Sequence, residues 1–108
     1  MVEKVNTFSR GDERVVENVV NTDAAQIMHM IFPKDAGLPE HASNTNVYMI
    51  VVRGTVSIRL NNQEEKKYQA GSLLEVPYNT LMNVNNKDEE VLELFVVKAP
   101  HPNKYEEK

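Results

Sequence analysis

Apolar residues occur along the chain in short runs that are interrupted by Gly, Pro, Asn or Asp. No long segment places them at the spacing of three and four residues that an amphipathic helix requires, so the pattern predicts strands joined by tight turns. We expect eight strands, at residues 14–20, 25–32, 46–53, 55–60, 64–69, 72–76, 80–85 and 91–98. Because no helices intervene, the expected fold class is all-β, either a sandwich or a barrel.

Two neighbouring strands differ in the number of faces they bury. In residues 55–60 the apolar Val56, Ile58 and Leu60 alternate with polar residues, which is typical of an antiparallel strand with one face in water. Residues 47–52 are apolar at every position, so both faces of this strand need a cover. Either the chain's own N-terminal strand or a neighbouring sheet provides it, or a second copy does so in a homodimer.

The length and composition limit the possible functions. The 108 residues are enough for a single domain, residues 1–108, with a short C-terminal tail from about residue 100. A net charge of −4 supplies no basic surface for nucleic acid or an anionic membrane, and the lack of cysteine excludes disulfides and thiolate chemistry. The charged N-terminal residues and the absence of a long apolar run lead us to expect a cytoplasmic protein.

Two stretches carry a specific pattern of spaced residues. Residues 38–54 resemble the first cupin motif, in which two histidines separated by one residue precede a glutamate and then a glycine. Residues 71–86 resemble the second motif, in which Gly, Pro, His and Asn recur at fixed spacing. The sequence is therefore similar to small single-domain cupins, which implies a jelly-roll-like cupin β-barrel, the double-stranded β-helix. The matching positions are His41, Gly54, Gly71, Pro77 and Asn86.

The resemblance also shows where this chain departs from metal-binding cupins. Those proteins hold their metal with both histidines of the first motif, its glutamate and the histidine of the second, and these positions are His41, Ser43, Val47 and Met82 here. Valine has no donor atom, serine is a poor neutral donor and methionine offers only a soft thioether. One imidazole does not hold a divalent ion, so we predict no metal site and no cofactor. Asn79 replaces the usual glycine of the second motif, and asparagine tolerates the left-handed conformation.

The same register predicts a pocket inside the barrel. It turns Val47 and Met49 inward, and the alternation in residues 80–85 places Met82 and Val84 on the side opposite two asparagines. A largely apolar cavity with one or two polar groups at its mouth is typical of a small-molecule site. The expected lining is His41, Ser43, Val47, Met49, Met82 and Val84.

Several candidate residues also have a purely structural interpretation. His41 is expected to line the pocket mouth, but it could instead anchor a loop or bind a metal. His29 lies in a strand that is apolar on both faces; it is either a satisfied buried histidine or part of a two-histidine metal site with His41. Glu75 has two interpretations, as a general acid or base and as a carboxylate that faces solvent. Tyr78 is interpreted either as a hydrogen-bond donor to a ligand or as an exposed loop residue. Four methionines either fill the core or form a soft copper site, namely Met28, Met30, Met49 and Met82.

Three functions remain open at this point. The leading hypothesis is a cupin that binds a small, partly apolar ligand in the barrel cavity, with His41 at the mouth and without a full metal site. The alternative is an enzyme, either a metal-dependent oxygenase or isomerase using His41 with His29, or a metal-independent isomerase or epimerase using His41 as a base. The third is a non-catalytic domain that forms a homodimer. The sequence does not decide whether a reaction is catalysed.

Overall fold

The computed structural model describes residues 2–106, with side chains as far as Lys104, and its regular structure is nine strands and one short helix. The all-β prediction is confirmed. In this part of the chain, no helix has the length and apolar character needed to cross a membrane. The strands are β1 (Val15–Asn21), β2 (Gln26–Phe32), β3 (His41–Ala42), β4 (Val47–Arg53), β5 (Thr55–Leu60), β6 (Lys66–Gln69), β7 (Leu73–Val76), β8 (Leu81–Asn85) and β9 (Leu92–Lys98), and the helix is α1 (Asn103–Glu106).

The strands form two antiparallel sheets. One has five strands in the order β1-β2-β9-β4-β7, and the other has four in the order β3-β8-β5-β6. Both sheets contribute to one hydrophobic core, because every second residue of their strands faces the same side. The core residues are Met30, Phe32, Val47, Met49, Val51, Val56, Ile58, Val76, Met82, Val84, Leu92, Leu94 and Val96.

The eight expected strands are all present within two residues of their expected bounds. The ninth, β3, was missed because its two residues, paired with Leu81 and Met82 of β8, are too few to show an alternating pattern. The expected C-terminal tail from about residue 100 contains α1.

The loop after β3 and the loop after β7 pass together from one sheet to the other. Ser43 connects them: its hydroxyl donates a hydrogen bond to Pro77 O at 2.7 Å and accepts one from the Thr80 N–H at 2.9 Å. The backbone N–H of Ser43 also donates to Thr80 O at 2.8 Å. Asn79 has a φ of 64°, which confirms its expected left-handed conformation. These bonds fix the ends of β3, β4, β7 and β8 relative to one another.

The outer face of the five-stranded sheet is partly covered by the N-terminal segment. The Phe8 ring packs on His29 and Phe95 of β2 and β9, with centroid distances of 4.7 and 5.0 Å. Towards β4 and β7 the same face keeps exposed apolar side chains, and Val52 and Leu73 are 44% and 60% exposed. The homodimer that would cover them stays a prediction.

Candidate functional site

The four apolar residues predicted to line the pocket lie in the core. Val47, Met49, Met82 and Val84 are each at most 3% exposed and belong to a single packed cluster, so their side chains occupy the space between the sheets. The interpretation of the methionines as core fillers is supported, because Met30 belongs to the same cluster. A ligand could reach the predicted lining only from an end of this interior, and its contact with Met49 or Val84 stays a prediction.

His41 lies at such an end. It pairs with Met82 across β3 and β8, so the two side chains share the interior face of the four-stranded sheet. The ring is half-buried, and its Nδ1 lies 2.8 Å from Pro39 O. A carbonyl oxygen only accepts hydrogen bonds, so Nδ1 carries the proton and Nε2 is an acceptor in the neutral ring. Nε2 has no partner among the side chains of residues 2–104 or the backbone of residues 2–106.

Ser43, the other polar residue of the predicted lining, is used differently. It is 4% exposed, and its hydroxyl already donates to Pro77 O and accepts from the Thr80 N–H. Its hydrogen-bonding capacity therefore serves the crossing loops rather than the interior.

The opposite wall of this end contains a residue that the sequence analysis missed, Lys98. It follows Val96 by two positions in β9 and pairs with Gln26 of β2 and Val47 of β4, so it takes the register of the core residues. The Gln26 side-chain amide donates to Asn18 Oδ1 at 2.7 Å, and Asn18 pairs with the inward-facing Met28. The signal was available in the sequence, because Leu92, Leu94, Val96 and Lys98 share one parity.

Two bonds place the loop that follows His41 and β3 next to the end of β9, where Lys98 lies. The Thr45 hydroxyl donates to Pro100 O at 2.7 Å, and the Ala99 N–H donates to Asn46 O at 3.2 Å. They tie the end of β9 to the loop that follows β3. We call this region the inner polar end, and it consists of Asn18, Gln26, His41 and Lys98 around the apolar Val47 and Met82.

The inner polar end holds basic groups without acidic partners. Lys98 is half-buried, and burial lowers the pKa of its ammonium group below the usual value. No carboxylate in the described part of the chain pairs with Lys98. The environment therefore disfavours the charged form of the lysine without compensating for it.

The residues at the cupin ligand positions do not fit a metal ion. Val47 and Met82 are packed in the core, Ser43 is hydrogen bonded to the loop, and only His41 offers a basic nitrogen. The side chains of residues 2–104 include no group of three His, Asp or Glu arranged to bind a metal. The donor set is therefore incomplete for a first-row divalent ion.

His29 points to the opposite side of its sheet. It is fully buried, with Nδ1 2.8 Å from Glu17 Oε2 and Nε2 2.6 Å from Glu93 Oε2. Its ring packs between Phe8 and Phe95 on the outer face. The interpretation as a satisfied buried histidine is correct, and the proposed two-histidine site with His41 is wrong, because both ring nitrogens of His29 are occupied away from the interior.

Further charges extend this arrangement to the N-terminal segment. Arg53 donates to Asp12 Oδ1 at 2.8 Å, and its Nε lies 3.1 Å from Glu93 Oε1 as an ion pair without a directed hydrogen bond. The Ser9 N–H, at 2.8 Å, and then the His29 ring lower the pKa of Glu17. We call this set the outer ionic cluster: Asp12, Glu17, His29, Arg53 and Glu93.

The remaining candidates lie outside both regions. Glu75 is exposed and lines a depression of about 200 Å³ beside Tyr48 on the outer side of β4 and β7, in agreement with a carboxylate facing solvent. The Tyr78 N–H donates to Asn46 Oδ1 at 3.1 Å, and its side chain is exposed. Asn86 of the second motif is buried, and its amide donates to Phe32 O and Glu90 O, which is a structural role.

Comparison with known proteins identifies similar chains. No protein-family model matches the sequence. An uncharacterised protein of Methanocaldococcus jannaschii is 42% identical over 105 residues, which cover 96% of this chain and 90% of that protein. The crystal structure of that same protein, described as an RmlC-like cupin family protein with a double-stranded β-helix fold, is 41% identical to this chain and superposes with a TM-score of 0.95 over 98% of both chains.

A more distant structure shares the fold. A cupin superfamily protein of Desulfitobacterium hafniense superposes with a TM-score of 0.73 at 14% identity, covering 86% of this chain and 83% of that protein. The double-stranded β-helix expected from the two motifs is thereby confirmed.

Proposed function

This chain belongs to the cupin superfamily, and on that premise we propose that it binds a small, partly apolar molecule at the inner polar end without using a metal ion. The observation that carries the proposal is His41, which is half-buried on the interior face beside Met82 with Nε2 unpartnered among the described residues. A ligand there would contact Val47 and Met82 through its apolar part and hydrogen bond to the imidazole.

A second candidate is a metal-independent acid–base enzyme. The bond from Nδ1 to Pro39 O fixes the tautomer in which Nε2 can accept a proton from a substrate. The same geometry suits ligand binding and proton abstraction, so both candidate functions require that a ligand binds beside His41. Exchange of a substrate's carbon-bound hydrogen with solvent deuterium would favour the enzyme.

A thermal-shift screen of a metabolite library tests the binding function. A ligand at 100 times its dissociation constant should raise the free energy of unfolding by about 2.7 kcal/mol. His41→Ala should reduce this stabilisation. Leu81→Ala is the matched control, because Leu81 lies on the same strand pair but is 39% exposed and has the opposite parity from Met82.

Two results would contradict the proposal. The first is a hit whose stabilisation is the same in wild type and His41→Ala. The second is a hit whose amide chemical-shift changes fall away from β3 and the ends of β2 and β9. An equal reduction of the ligand-induced stabilisation in His41→Ala and Leu81→Ala would show that the screen reports general stability rather than binding at this site.

A further inference from the structure

Lys98 differs in its surroundings from the other lysines and arginines between positions 2 and 104. Five lysines and arginines pair with carboxylates: Lys34, Arg53, Arg59, Lys67 and Lys87. Arg14 lies over the Phe32 ring and donates to Gly37 O. The remaining ones apart from Lys98 are exposed to water: Lys4, Arg10, Lys66 and Lys104. Within this range, Lys98 alone is half-buried and lacks an acidic, carbonyl or aromatic partner.

The surroundings of Lys98 are built to receive negative charge. Its cross-strand neighbours are the neutral Gln26 and the apolar Val47, so nothing on either strand compensates the ammonium group. Gln26 donates its amide NH₂ to Asn18 Oδ1, and the NH₂ of Asn18, which is exposed on the neighbouring strand β1, is a further donor beside this end. Burial lowers the pKa of Lys98, and an anion beside it would reverse this effect.

We propose that the ligand of the inner polar end is an organic anion, whose carboxylate or phosphate oxygens bind Lys98 Nζ and whose apolar body lies over Val47 and Met82. This inference rests on the proposed function and adds the chemical class of the ligand. A charge-assisted hydrogen bond in a partly desolvated place contributes more than a neutral one, which favours acids over their neutral analogues. The protein carries a net charge of −4, so the attraction is local to this end.

The test uses three probes of similar shape on the full chain: benzoate, phenyl phosphate and the neutral benzamide. Amide chemical shifts of the labelled protein are followed during each titration, because they give both the dissociation constant and the place of binding. We expect benzoate or phenyl phosphate to shift the amides of Gln26, His41 and Lys98. We expect benzamide to bind at least about tenfold more weakly, the effect of one charged hydrogen bond.

Variants separate the charge of Lys98 from its bulk. Lys98→Met keeps the length of an apolar stem and should weaken the binding of the acid about tenfold or more, and Lys98→Arg should retain most of it. Lys66→Met is the matched control, because Lys66 is an exposed lysine at the start of β6, and it should change nothing. Stronger binding of phenyl phosphate than of benzoate would assign the anion to the phosphate class, and the reverse would assign it to the carboxylates.

The outcomes distinguish this inference from the proposed function. Equal affinity for benzoate and benzamide at this end, lowered by His41→Ala but not by Lys98→Met, would overturn the anion inference and leave ligand binding intact. Shifts confined to other parts of the chain, or no shifts up to the solubility limit of any probe, would overturn it as well. The library screen with His41→Ala then decides separately whether the end binds anything.

Discussion

The outer ionic cluster and the inner polar end both withdraw charged side chains from water, and Glu93 and Lys98 of β9 lie on opposite faces of the five-stranded sheet. In the outer ionic cluster, His29 contacts a carboxylate at each ring nitrogen, and Arg53 contacts both Asp12 and Glu93. At the inner polar end, Lys98 has no ion pair within the described chain. A partly buried charge that is fully paired has a structural role, whereas the lack of a partner at Lys98 is the basis of the ligand that we propose.

Substitution of His29 should cause the largest change in stability, and it tests whether the outer ionic cluster is structural. His29→Leu would leave the carboxylates of Glu17 and Glu93 facing an apolar side chain under the Phe8 ring. Removing one partner of a buried pair costs about 3–5 kcal/mol, and we expect about 3 because the two carboxylates are still 29% and 17% exposed. Urea-induced unfolding measures this loss.

A second histidine supplies the control. His41→Ala removes a half-buried ring that has one bond, to Pro39 O, and should cost less than about 1 kcal/mol. A loss for His29→Leu no larger than that for His41→Ala would mean that the outer ionic cluster contributes little to stability.

Substitution of Glu17, a carboxylate of the outer ionic cluster, should cause the next largest change in stability. The Ser9 N–H and the His29 ring lower the pKa of Glu17, so the folded state releases this proton more readily than the unfolded chain does. Its stabilisation is therefore present above the usual carboxyl value of 4.5 and is lost as the pH falls through the lowered pKa. Glu17→Gln should lose about 1–2 kcal/mol at pH 7 and little in strong acid.

Urea unfolding at a series of pH values tests this linkage. Glu89→Gln is the matched control, because Glu89 is exposed and pairs with the exposed Lys34. Exposed ion pairs of this kind contribute only about 0–1 kcal/mol to stability. A difference between wild type and Glu17→Gln that does not change between neutral and acid pH would contradict the assignment of the lowered pKa to Glu17.

The sequence predicted the framework well because alternation along a strand is a local signal. The register that turned Val47 and Met82 inward is confirmed by their place in the core. The direction of His29 was unreadable, because β2 is covered on both faces and the cover on its outer face, Phe8, is distant in sequence. Pairing of charges between β1, β2 and β9 depends on tertiary contacts that no local pattern encodes.

The candidate site was predictable in part for the same reason. The two motifs located His41 and showed that Ser43, Val47 and Met82 stand at the other three ligand positions, but they did not include the last strand. Lys98 ends β9 on the parity of Leu94 and Val96, so the pattern placed a cation on the buried face without showing whether an acid faced it. The missing ion pair became visible only when the neighbouring strands were identified.

Removal of the Lys98 charge should have the smallest effect on stability, and with the opposite sign to that of His29. Burial lowers the pKa of Lys98 in the folded protein below its usual 10.5. Between the folded and the unfolded pKa, the unfolded chain binds more protons than the folded one, so the stability of the wild type rises with pH. Lys98→Met has no such dependence. We expect the variant to be equally stable or more stable at pH 7, by less than about 1 kcal/mol, with the difference shrinking towards pH 10.5. Unfolding curves at both pH values measure this, with Lys66→Met as the control that shows no such trend. A variant clearly less stable than wild type at pH 7 would mean that the protein itself uses the ammonium group for stability, and the contrast between the two regions would disappear.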